Sequence, residues 1–193
     1  MSQNASAKSK PKRGNAAERE LETFIDRFDP EIAATARAAL AKMRKRLPNT
    51  FQLVYDNYNA LVVGFCPTMR PSSVIFSIAI YPRSAALCFF CGGALYDPKK
   101  LLEGNGKISR HIKLESVDML ELPAVKALMT QALALAAEQP DETQPGEIVI
   151  KSVSPKQRPR RPSVPVPAKK GREGEKRASA KWPPVRGRTK GAG

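Results

Sequence analysis

Between Phe51 and Phe90 the chain carries short apolar runs at Phe51–Tyr55, Ala60–Phe65, Val74–Tyr81 and Ala85–Phe90. Their length and alternation read as strands. Asp56-Asn57-Tyr58-Asn59 and Pro82-Arg83-Ser84, which join them in pairs, are single turns. A parallel crossover needs about a dozen residues or more, so the pairs must be antiparallel hairpins and the whole a meander.

Helical periodicity lies on both sides of this meander. Leu21, Phe24, Ile25 and Phe28 predict an amphipathic helix over 17–28. Asp29-Pro30-Glu31 then supplies an N-cap, a proline at the first helical position and an acid in the first turn. The second helix buries Ile32, Ala36, Ala39, Leu40, Met43 and Leu47, carries Lys42, Arg44, Lys45 and Arg46 near its negative end, and stops at Pro48. Beyond the meander, Gly104-Asn105-Gly106 predicts a tight turn into a fifth strand, Ile108–Leu114. Pro123 opens a last helix with Val125, Leu128, Met129, Ala132 and Leu133 inward, ending near Glu138, and Glu147–Val153 is a candidate sixth strand. The expected class is α+β, two-layer, with an antiparallel sheet of five or six strands packed against N-terminal and C-terminal helices.

Charge sets the expected domain limits. The 193 residues carry a formal +15, with a sequence pI near 10.0, which first suggests a nucleic-acid partner. Residues 16–150, however, hold 15 Lys/Arg against 16 Asp/Glu, whereas 151–193 hold 14 Lys/Arg against Glu173 and Glu175, and 1–15 hold four basic residues and no acid. The basicity belongs to the ends. Residues 1–15 and 155–193 contain too little apolar side chain to offset the entropy of ordering, so they are expected to be a disordered basic arm and a disordered Pro/Lys/Arg-rich tail around a domain spanning 16–154. No run is long and apolar enough to predict a membrane span. Three cysteines in apolar surroundings do not make a disulfide framework, and a reducing cytoplasm is the expected compartment.

The densest polar stretch inside the domain is Gly104–Leu114. Gly104 and Gly106 free the backbone to turn its amides toward one point, and Lys107, Arg110 and His111 follow, a candidate cradle for phosphate or carboxylate. The same residues also describe a glycine hairpin with solvated charges. Glu18, Glu22 and Asp26 fall on one helix face, where oxygen ligands suit a hard cation, although a solvated helix surface accounts for them too. Cys88 and Cys91 have the spacing of a knuckle or redox pair, with Cys66 as a conceivable third ligand. A strand sends positions i and i+3 to opposite faces, and the neighbours are Leu and Phe, so packing cysteines are expected. The C-terminal Arg158, Arg160, Arg161, Lys169 and Lys170 are candidates for neutralising phosphates along DNA or RNA, with Trp182 as a lone stacking residue.

The domain resembles the YdhG-like family, bacterial domains of largely unknown function. The resemblance rests on Tyr55-Asp56-Asn57-Tyr58-Asn59-Ala60-Leu61, Phe76-Ser77-Ile78-Ala79-Ile80-Tyr81-Pro82, Gly92-Gly93-Ala94-Leu95 with Asp97-Pro98, and Leu102-Glu103-Gly104-Asn105-Gly106-Lys107 running into Arg110-His111-Ile112. Ile150-Lys151-Ser152-Val153-Ser154 with Gln157-Arg158-Pro159-Arg160-Arg161 extends it, so that it spans about residues 17–161. It implies helices on an antiparallel sheet. Because the family includes proteins described as frataxin-like intracellular iron chaperones, it also admits iron as a cargo, without fixing ligand positions.

The sequence carries no G-x-S-x-G motif and no Cys/His pairing beyond the single His111, so nothing in it specifies catalysis. The expectation is a non-enzymatic binding domain that engages an anionic ligand or protein partner and needs no cofactor, with a basic tail that associates with nucleic acid. The alternatives are an iron chaperone and an enzyme of unrecognised type.

Overall fold

The structure, a computed structural model, describes residues 13–143 and 145–161. In chain order its main elements are α1 (Arg13–Ile25), α2 (Pro30–Arg46), β1 (Phe51–Asp56), β2 (Leu61–Cys66), β3 (Phe76–Tyr81), β4 (Ser84–Phe89), β5 (Arg110–Leu114), α3 (Pro123–Ala134) and β6 (Ile148–Val153). The fold is α+β, as the periodicities predict. Among the described residues three α-helices pack against a six-stranded sheet of order β5-β4-β3-β2-β1-β6.

The alternation of each strand decides which face is the core. Val54, Val63, Ile78, Leu87 and Ile112 form one cross-strand row and pack with Leu21, Phe24, Leu40, Met43, Leu128 and Met129 from the helices. The neighbouring row on the other face, Leu53, Gly64, Ser77, Cys88 and His111, lies outside that cluster. In α2 the buried stripe is mostly alanine, Ala33, Ala36 and Ala39 with Leu40 and Met43, which lets the helix axis approach β3 and β4 closely. Its start follows the expected chemistry: the Asp29 carboxylate accepts from the Glu31 amide at 3.1 Å and Pro30 fills the first turn.

Two expectations need correction. The sheet is mixed rather than wholly antiparallel, because β6 lies parallel to β1 at the edge opposite β5. The chain from Glu115 to Glu147, including α3, is long enough to return to the start of β1, where the Gln52 amide donates to the Glu147 carbonyl at 2.7 Å. Packed structure also continues past Ser154. Residues 154–161 cross the end of the sheet where β1, β3 and β6 finish, the Ser154 amide donating to Asp56 O and the Arg158 amide to Tyr58 O. Residues 1–12 and 162–193, on which most of the predicted basic arm and tail fall, lie outside the described residues.

Candidate functional site

The end of the sheet is organised by one buried carboxylate. Continuing the alternation of β1, Asp56 points to the same face as Val54, toward the helices, and is 1% exposed. A charge there must be paired, and three side chains converge on it. Arg27, in the turn after α1, donates from Nη1 to Oδ2 at 3.0 Å; Arg160 donates from Nη2 to Oδ1 at 2.6 Å; Gln157 donates its amide to Oδ2. Arg160 is itself buried, sits 5.3 Å from the Phe28 ring centroid and also donates to the Asn57 carbonyl. Arg161 extends back to the carbonyls of Phe28 and Asp26, both at 3.1 Å, so its charge offsets the negative end of α1.

These bonds hold residues 157–161 against the β1–β2 turn and the turn after α1, and a cleft of about 630 Å³ lies between this segment and the β1–β2 and β3–β4 turns. Asn59 contributes from one turn, Tyr81, Arg83 and Ser84 from the other, and Arg158 and Arg161 from the crossing segment, with Pro82 and Pro159 completing the wall. Three arginines line it, and no acidic residue does so among the described residues. Neither Arg83 nor Arg158 meets a carboxylate among the described residues, whereas Asp56 is already held by Arg27 and Arg160. Burial pushes the Tyr81 phenol above its ordinary value, so at neutral pH it stays a neutral hydroxyl donor.

The residues singled out in the Gly104 turn are arranged differently. Gly104 has φ +107° and allows the chain to reverse, after which Glu103 and His111 exchange backbone hydrogen bonds at 2.7 and 3.0 Å. Glu103 thereby comes within 3.8 Å of His111 Nε2, placing a carboxylate where an anion would approach. Arg110 turns its Nη1 to the Ser109 carbonyl at 3.1 Å, and Lys107 is exposed. The Gly93 amide donates to Ile108 O at 2.8 Å, and the Lys107 carbonyl lies so close to Gly93 that any Cβ there would overlap it. The turn is tied together by its own backbone, and Gly106, which is exposed, lies against the Ser109 carbonyl.

The acidic helix face is engaged by arginines. Glu18 accepts from Arg44 at 2.7 Å, Glu22 accepts from Arg37 at 2.7 Å, and Asp26 bonds the same guanidinium. Those bonds, led by the one to Glu22, raise Arg37 above its ordinary value. Among the described residues no group of three or more His, Cys, Asp or Glu side chains comes together in a way that could hold a metal ion. The three cysteines are free thiols; burial pushes Cys66 up to about 12, and Cys88 and Cys91 also upward, so they pack as protonated groups.

Arg160, a predicted tail cation, is corrected to an interior residue because Asp56 needs it, and Arg161 is anchored on α1. Arg158 keeps its charge open to the cleft. Lys169, Lys170 and Trp182 fall outside the described residues. No family model, no curated protein and no solved structure matches the chain.

Sequence reasoning missed Asp56, Arg27, Asn59, Tyr81 and Arg83 as members of one region. One signal was available. In Phe51-Gln52-Leu53-Val54-Tyr55-Asp56 the period-two pattern puts a carboxylate on the core face, which calls for a buried cation from elsewhere in the chain.

Proposed function

We propose that the protein is a non-enzymatic binding domain whose arginine-lined cleft takes an anionic ligand, a phosphate-bearing group above all. The basic chain beyond Arg161 adds non-specific attraction to nucleic acid. The observation that carries this reading is the convergence of Arg83, Arg158 and Arg161 on one cleft of about 630 Å³ with no acidic side chain in its described lining. That volume falls inside the range of roughly 300–1,000 Å³ usual for ligand sites. Guanidinium groups suit the work because their planar forks donate paired hydrogen bonds to phosphate or carboxylate oxygens. Asn59, Ser84 and Tyr81, residues with neutral polar side chains, complete the lining around them.

The three arginines are not held alike, which matters for the test. Arg161 also caps α1, so removing it disturbs the fold, while Arg83 and Arg158 have no such duty among the described contacts. Titrating inorganic pyrophosphate into the full chain by calorimetry therefore uses the pair Arg83→Ala and Arg158→Ala. Losing two charge-assisted contacts should weaken binding about tenfold or more, with the unfolding midpoint unchanged. Equal affinity in the paired variant and the unaltered chain removes the proposal.

A further inference from the structure

The same cleft carries a second kind of group that a site for a small inorganic anion does not require. Tyr81, the last residue of β3, lies in the cleft wall and remains 40% exposed; Tyr58, beside the cleft residue Asn59, is 54% exposed, and its carbonyl accepts the Arg158 amide at 2.9 Å. Here one exposed aromatic ring, that of Tyr81, lines the cleft with the arginines, and Tyr58 is the sequence neighbour of the lining residue Asn59. Cations that follow phosphates and an aromatic face that receives an unpaired base are the two components of a single-strand nucleic-acid platform. A duplex keeps its bases stacked inside and offers only its backbone to such a surface. The chain itself adds a reason for a long anion rather than a short one. Directly after Arg161, which forms part of the cleft wall, residues 162–193 carry nine Lys/Arg against Glu173 and Glu175. Three guanidiniums suffice for one phosphate group, whereas this continuing charge matches a polymer of them.

We infer that the cleft binds single-stranded nucleic acid, with Arg83, Arg158 and Arg161 on phosphates and Tyr81 as the principal base-stacking residue. This rests on the cleft being the anion site proposed above. The backbone contacts and stacking it uses are indifferent to base identity, so the preference expected is for strand state and not for sequence.

The test is fluorescence anisotropy of the full chain with a labelled mixed-sequence single strand of about 12 nucleotides, within the usual single-strand site size, and with the duplex of the same sequence. Tyr81→Ala should weaken single-strand binding about tenfold, as expected for loss of one stacked base, and leave duplex binding within about twofold. Tyr81→Phe, which keeps the ring, should restore most of the affinity. The Arg83→Ala, Arg158→Ala pair should reduce the slope of log affinity against log salt by about 1.4, the value for two single-strand phosphates. Thermal unfolding of each variant establishes that it is folded. If Tyr81→Ala binds the single strand as the unaltered chain does, or if the duplex binds equally well, the inference is wrong. In that event a pyrophosphate affinity that still depends on Arg83 and Arg158 leaves the anion-binding reading standing, and one that does not depend on them removes both.

Discussion

The end of the sheet at Asp56 and the turn at Gly104 both concentrate polar residues, yet they handle charge in opposite ways. At the sheet end, Asp56 is buried and satisfied by Arg27, Gln157 and Arg160, and Arg161 bonds two backbone carbonyls, so among the described residues Arg83 and Arg158 line the cleft without a carboxylate partner. At the Gly104 turn, Glu103 sits beside His111 and Arg110 bonds a neighbouring carbonyl, so its cations are partly answered within the turn. Density along the sequence and convergence in space are different properties. An anion is attracted by charge left over after internal pairing, and the proposed site at the sheet end gathers two such guanidinium groups on one concave surface.

The largest effect that separates the two regions should come from Asp56→Ala. It strands Arg160 without its carboxylate in a buried position and also frees Arg27, a loss on the order of 3–5 kcal/mol by the usual cost of breaking a buried pair. Chemical denaturation checks it; a loss below about 1 kcal/mol, the scale of an exposed pair, would show that the clasp is not what holds residues 157–161.

Arg160→Ala should cost less, about 1–3 kcal/mol, because Asp56 retains Arg27 and Gln157 and only the hydrogen bonds and the packing on Phe28 are lost. If this variant is as damaging as Asp56→Ala, the carboxylate depends on Arg160 alone and the three-donor account fails.

In the other region, Gly104→Ala forces a side chain into a φ of +107° and close to the His111 ring, and should destabilise by about 1 kcal/mol, the penalty typical of such positions. Its pyrophosphate affinity should stay unchanged, which calorimetry on the folded variant reads directly. A clear drop in affinity would put the ligand back at this turn.

The smallest effects are expected for Lys107→Ala and His111→Ala, each within about twofold of the unaltered anion affinity, the range of a remote charge screened by salt. A loss comparable to that of the Arg83 and Arg158 pair would erase the distinction between the regions.

Much of the fold could be read from the chain because its signals are local. The Asp29-Pro30 start of α2, the tight turns at 56–59 and 82–84 and the alternating strands need only neighbouring residues to specify them. The end of α1 at Ile25 rather than Phe28 shows the limit: the 3.6 period continues through Phe28, but the chain turns earlier because Asp29 must cap α2. The parallel placement of β6 was not readable, since a long return connection can reach either edge of the sheet. The cleft was hidden for the same reason, as Asn59, Tyr81, Arg83 and Arg158 meet only when residues 154–161 are docked by Asp56. The arginines were visible as charge, and burial alone separates the structural Arg160 from the available Arg158.

The central claim is that an anion is received at the sheet end and not at the glycine turn, and residue-resolved NMR of the full chain titrated with inorganic pyrophosphate tests it most directly. The account predicts saturable shifts clustered at Asn59, Tyr81–Ser84 and Arg158–Arg161. Shifts centred on Gly104–His111, with the sheet end silent, would contradict it.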